Sequence, residues 1–267
     1  MLIKRRIFAG AVCEQEVYFM PHSVRRVGGE TRAPRIRFRS AAERERHNTE
    51  VSRRKHTRLF NENFDPSSLY STLTLDDENE VYSFAEIKKL RDLYIRRLKY
   101  KYPEAVIFAY VGRGKTTQRF HMHMVSNGIP AVEIARLWTY GKIFRIEHLR
   151  ENCRYKHDDG QMYDHGRDYT ALANYLFNHW TPEQGGKRWK MTKNARKPEI
   201  EDATECKRFY SIEHPPIAPK GYELVDARST EYGFYLFRYI KKPQSREVLR
   251  TPCRCVEFYD ENQILKL

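Results

Sequence analysis

The chain of 267 residues carries 49 Lys and Arg against 35 Asp and Glu, a net charge of +14, and 13% of its residues are aromatic. Its hydrophobic fraction of 40% suffices for an ordinary core and argues against disorder throughout, while no apolar run is long enough to cross a bilayer as a helix. Excess positive charge with many rings is the composition expected of a protein that meets a polyanion and has aromatics to stack on bases.

The opening MLIKRRIFAGAVC is basic, but its short apolar stretch soon meets Glu14 and Glu16, so it does not read as a secretory signal. Cys13, Cys153, Cys206, Cys253 and Cys255 form no regular framework, which points to reduced thiols and a cytoplasmic location. Cys253-Arg254-Cys255 is spaced too closely for the usual zinc pair and has no second pair nearby. Residues 1–39 read as an irregular basic arm, with Arg at 25, 26, 32, 35, 37 and 39.

From Ser40 the pattern changes to a Gly- and Pro-free run with a Ser N-cap and a Glu three residues later, which predicts a helix. Leu69–Leu75 alternates with β-rich residues and predicts a strand. Residues 83–102 place apolar side chains at 84, 87, 90, 94 and 98 before Pro103, the spacing of an amphipathic helix. Residues 105–111 and 119–125 predict two strands joined by GRGKTT, hence an antiparallel hairpin; a short helix over 132–138 and a strand over 142–146 follow.

A polar loop over 151–166 leads to DYTALANYLFNHW, a predicted helix over 168–180. GGKRWKMTKNARKP then reads as an exposed loop or ribbon, and 232–240 as a strand. The element order predicts an α+β fold, a mainly antiparallel central sheet flanked by helices. The expected division is a basic arm and helix over 1–60, a central domain over 61–212 and a C-terminal extension over 213–267.

Residues 110–128, YVGRGKTTQRFHMHMVSNG, admit two readings. A nucleotide-binding P-loop needs a glycine where Ala109 stands and a helix beginning at Lys115, whereas the residues after Lys115 alternate as a strand. GRGKTT is therefore read as a hairpin turn, whose Arg113 and Lys115 are candidates to touch a DNA phosphate. His121 and His123 are two apart on a strand and point to one face, where two imidazoles can bind one ion. Tyr175 lies on the downstream helix, and a tyrosine hydroxyl attacks phosphodiesters when a divalent cation polarises the phosphate.

YSTLTL (70–75), FHMHMV (120–125) and YTALANYLFNHW (169–180), in that order, resemble the motifs of the HUH endonucleases, in particular rolling-circle replication initiators related to the gene II protein of filamentous phages. The resemblance covers roughly residues 60–180. It implies a palm-like sheet, Mg²⁺ or Mn²⁺ on His121 and His123, and attack by Tyr175 to give a 5′-phosphotyrosyl link and a free 3′-hydroxyl. Relatives keep an acidic ligand in an "ERG"-like phrase, where this chain has Gly112; Gln118, His157, His165 and Asp76 are the alternatives weighed, and the third ligand stays unassigned. Tyr169 is six residues from Tyr175, on a different helix face, so one nucleophile is expected. Asn178 and His179 stand where relatives carry a phosphate-orienting lysine, and of the two His179 is assigned that catalytic role.

The expectation is thus a metal-dependent nickase and ligase of single-stranded origin DNA in a bacterial cell, serving rolling-circle replication of a plasmid or phage-like element. A relaxase or transposase with the same chemistry, and a DNA-binding protein without cleavage, are the alternatives. Lys187, Arg188, Lys190 and Lys193 are candidate DNA contacts. No helicase motor is legible, so a host helicase and polymerase are the expected partners, and no membrane.

Overall fold

The computed structural model describes residues 1–19, 40–114, 118–156, 160, 162–229 and 234–242. In chain order these form β1 (Leu2–Ala9), β2 (Val12–Phe19), α1 (Ala41–Asn63), β3 (Leu69–Thr74), α2 (Phe84–Lys101), β4 (Ile107–Arg113), β5 (Phe120–Ser126), α3 (Ala131–Leu137) and β6 (Ile143–His148). There follow β7 (Arg154–Lys156), β8 (Met162–Asp164), α4 (Thr170–Phe177), β9 (Lys190–Met191), β10 (Glu199–Ile200), β11 (Thr204–Glu205), β12 (Tyr222–Ser229) and β13 (Tyr235–Lys241). The fold is α+β with antiparallel sheets, as the sequence predicts. No described helix is long and apolar enough to cross a membrane.

The chain divides into two compact units, Met1–Glu62 with Asn152–Asp168 and Lys197–Gln244, and Asn63–Glu151 with Tyr169–Arg196. The observed division differs from expected boundaries at 60 and 212, because strands from both ends of the described chain share one sheet. In the first unit, that sheet runs β10-β1-β2-β13-β12, with β11 also on β1.

Residues 2–19 are therefore a strand pair and not an irregular arm. The reason they escape notice is chemical. β2 buries Glu14 and Glu16, and Arg58 of α1 bridges both at 2.6 Å, with Arg5 and Arg54 completing the pairing of Glu16. Burial alone would raise the Glu16 carboxyl, but Arg58 and Arg5 hold it below its ordinary value. A pattern that looks solvated is here a buried, paired one.

The second unit holds a five-stranded antiparallel sheet, β6-β3-β5-β4-β9. Period-two alternation sorts its side chains. Leu69 and Leu73 of β3, Ile107, Ala109 and Val111 of β4, and Phe120, Met122 and Met124 of β5 join Ile87, Tyr94 and Leu98 of α2 and Ile134 of α3 in one core. α2 starts at a full capping box, with Ser83 accepting from the Glu86 amide and Glu86 accepting from the Ser83 amide. Tyr94 ties α2 to α3 by donating to the Ile134 carbonyl at 2.7 Å.

The opposite face carries Phe108, Tyr110, His121 and His123, with the Phe64 ring edge-on to Phe108 at 5.0 Å. The predicted elements at 69–75, 83–102, 105–111, 119–125, 132–138 and 142–146 all form, within two residues of their expected ends. α4 is shorter than its expected span of 168–180. β7 and β8 pair within the segment expected as a polar loop.

His56 of α1 is fully buried, which pushes its imidazole down to about 3. Between that value and the ordinary one near 6.5, the unfolded chain binds a proton that the folded chain does not. His56 therefore favours unfolding as pH falls below the ordinary value. Urea unfolding at pH 6 and pH 5 is expected to show wild type losing about 1.2 kcal/mol more over that unit than His56→Gln. Parallel pH dependence of the two would contradict this.

Candidate metal centre

β5 is the middle strand of its sheet, and its register fixes what surrounds the two histidines. His121 faces Gly112 on β4 and Thr74 on β3; His123 faces Tyr110 and Thr72. His179 follows the C-cap of α4 and joins them, its amide still bonded to the Leu176 carbonyl at 3.3 Å. Nitrogens of His121, His123 and His179 all lie within 4.8 Å of one another. The ring centroids are 4.9 Å apart for His121–His123 and 4.6 Å for His123–His179. This cluster can hold a metal ion, and three protein donors leave coordination positions for an outside oxygen.

The surroundings prepare His123 for that role. Its Nδ1 lies 2.8 Å from the Tyr70 hydroxyl and 3.1 Å from Thr72 Oγ1, while its buried Nε2 has no hydrogen-bond partner among the described residues. A proton on Nδ1, donated to a hydroxyl, leaves the Nε2 lone pair for an ion. Burial, then the neighbouring His179 and His121, push the His123 imidazole down to about 3. His121 is lowered as well, by burial, against a hydrogen bond to the Arg119 backbone. Both rings are therefore neutral ligands at pH 7, without a proton to displace. Burial pushes the Tyr70 hydroxyl up to about 12, which keeps it protonated as a partner.

Gly112 acquires a specific meaning. A Cβ there would stand 2.9 Å from His121 Nε2 and 3.3 Å from His179 Nδ1. The space that an acidic ligand would enter is occupied by the imidazoles themselves, and His179 completes the set from another element. Of the other residues weighed, Asp76 accepts from the Asn79 amide and side chain, Gln118 is exposed with φ of 57°, and His165 is buried in the first unit beside Asp168. His157 lies outside the described residues.

Tyr175 lies beside the cluster. It is 52% exposed, and its ring meets His179 edge-on at 4.5 Å and His123 at 6.2 Å between centroids. The i,i+4 spacing puts Tyr175 and His179 on one side of the helical path. Tyr169, by contrast, is buried and donates its hydroxyl to the Arg150 carbonyl at 3.0 Å. Of these two tyrosines, Tyr175 alone is presented to solvent next to the imidazoles.

The candidate DNA contacts divide. Arg113 is exposed but lies on the other face of the sheet, its Nε donating to the Gln118 carbonyl at 2.8 Å and its guanidinium over the Phe120 ring. Arg188 stacks on Trp180 at 4.1 Å and on Phe177 at 4.7 Å. Lys190 is exposed and 3.7 Å from Asp92; Lys187 and Lys193 are exposed, and Lys115 lies outside the described residues. Sequence reasoning missed Tyr70 and Thr72 as supports of His123, since the register that brings them together is not written in either segment alone. Comparison of the chain with protein-family models, curated proteins and solved structures gives no match.

Titration with Co²⁺, followed by its visible absorption, is expected to give one site per chain. Loss of the Tyr70 hydroxyl in Tyr70→Phe is expected to weaken binding roughly tenfold, and loss of a donor in His179→Ala to weaken it further. Gly112→Ala is expected to impair binding as well, by displacing His121. Unchanged affinity in His179→Ala would remove that residue from the site.

Proposed function

We propose that the protein is an HUH-type endonuclease that cuts and rejoins single-stranded DNA, using Tyr175 as nucleophile and His121, His123 and His179 as ligands of a divalent ion. The observation that carries this reading is the exposed Tyr175 ring set edge-on against His179, at 4.5 Å, beside the three imidazoles. The net charge of +14 and the abundance of aromatic residues suit a single-stranded nucleic acid as substrate. An ion bound by the imidazoles supplies a Lewis acid for the scissile phosphate.

The chain's own residues supply the rest. The Tyr175 hydroxyl loses its proton to solvent and its oxygen bonds to phosphorus. The bond from phosphorus to the 3′ oxygen breaks, and that oxygen takes up a proton as a free 3′-hydroxyl. The 5′ phosphate remains esterified to tyrosine, so the same 3′-hydroxyl can reverse the step and reseal the strand. Tyr70 and Thr72 hold the His123 ring through Nδ1. Of the two ions expected from the resemblance, Mn²⁺ suits three imidazoles better than Mg²⁺, which favours oxygen donors.

Rolling-circle initiation on a plasmid or phage-like element is the biological setting we propose, with a host helicase separating strands and a polymerase extending the free 3′-hydroxyl. Incubation with Mn²⁺ and a library of single-stranded oligonucleotides is expected to give a denaturation-resistant protein–DNA species and a second fragment that a polymerase extends. Tyr175→Phe is expected to lose both products. Survival of the covalent species in Tyr175→Phe would refute the assignment of the nucleophile, and absence of cleavage over the whole library would favour a protein that binds DNA without cutting it.

A further inference from the structure

The β4–β5 hairpin has two usable faces. The Gly112–His121 pair faces the imidazoles, and the next pair outward, Arg113–Phe120, faces the α2 side. There a cavity of about 510 Å³ opens between the start of α2, the hairpin and the turn at Pro182–Gln184. Its wall combines three rings, Tyr82, Phe84 and Phe120, with two cations, Lys88 and Arg113. One carboxylate, the exposed Glu183, also borders it.

We propose that this cavity receives one nucleotide of the single-stranded DNA that the chain binds, the base stacking on the rings and Arg113 meeting its phosphate. The proposal rests on the reading of the protein as a single-strand endonuclease and adds the place where the strand continues. The volume accommodates a base with its sugar, and rings with cations are the two chemistries that hold single strands without base pairing.

Phe84 and Phe120 are fixed edge-to-face at 4.9 Å, so part of the platform exists before any ligand arrives. Tyr82 is 80% exposed beside them, with its ring open to solvent. The first amides of α2 are already bonded within the capping box, and Lys88 is bonded to the Gln184 and Gly185 carbonyls. Arg113, exposed, is therefore the group placed to take the phosphate.

The cavity is tied to the metal centre through Gln184, which is buried in its wall. The Gln184 Nε2 donates to the His179 carbonyl at 2.9 Å and to the Val111 carbonyl at 3.2 Å. β9 pairs with β4 only at Phe108 and Ala109, and Gln184 occupies the edge beyond it.

The test uses the full chain with the Tyr175→Phe substitution in EDTA, so that neither cleavage nor an ion contributes. Binding of a fluorescent single-stranded dT15 oligonucleotide is read by anisotropy, and 5-iodouridine-substituted dT15 is photocrosslinked and mapped by mass spectrometry. Added Tyr82→Ala is expected to weaken binding roughly five- to a hundredfold, the worth of one stacked base. Added Arg113→Ala is expected to lower the salt slope by about 0.7. Both residues are exposed, so neither change removes core packing.

Crosslinks are expected on Tyr82 or Phe84. Unchanged affinity in both variants, with crosslinks elsewhere, overturns the cavity while leaving the endonuclease reading intact. Absence of dT15 binding, together with absence of covalent product in the unsubstituted chain with Mn²⁺, overturns both. Free deoxythymidine monophosphate that competes at the same concentration as dT15 overturns the assignment to a strand and makes this a site for a free nucleotide.

Discussion

The pairing of β5 between β3 and β4 is the constraint on which the rest depends. Phe120, Met122 and Met124 commit one face of β5 to the core under α2 and α3, so His121 and His123 have only the other face to occupy. A slip of one residue would exchange the two sets and bury both imidazoles among apolar side chains. The same register delivers Thr72 to His123 and Gly112 to His121. Core packing and ligand placement are thus one decision, made by the alternation of a seven-residue strand.

The electrostatics follow from that placement. Burial keeps His123 and His121 neutral, which is the form a metal requires, and the hydroxyls of Tyr70 and Thr72 hold one ring nitrogen of His123 so that the other faces the cluster. Desolvation makes a charged imidazole costly here, and an ion would give the buried Nε2 the partner that it lacks among the described residues. Gly112 contributes by having no side chain. Its position beside two imidazole nitrogens explains why an acidic residue is missing where the resemblance leads one to look for it.

The second unit was largely legible in the sequence, because its strands alternate cleanly and its helices announce their ends at Ser83 and Pro103. The H-x-H pair was legible for the same reason: two residues on a strand share a face whatever the fold. His179 was visible as a residue near Tyr175, but its approach to the other imidazoles depends on how α4 meets the sheet, which no local pattern encodes. The first sheet was illegible at β2, where buried Glu14 and Glu16 carry the look of a solvent face and only Arg5 across the hairpin and the arginines of α1, remote in sequence, make them compatible with burial. Tyr82 and the cavity beside it were likewise hidden, since no local pattern reports the exposure of a ring before a helix N-cap.

In the proposed chemistry the imidazole cluster and Tyr175 act as one device, with the ion and the nucleophile brought to a phosphate from two elements, β5 and α4. The most direct measurement is mass spectrometric sequencing of the nucleotide-linked peptide, recovered by proteolysis after the protein has been incubated with cleavable single-stranded DNA and Mn²⁺. The expected result is a phosphonucleotide on Tyr175. A nucleotide on Tyr169, Tyr70 or any other residue, or no linked peptide from DNA that has been cut, would contradict it.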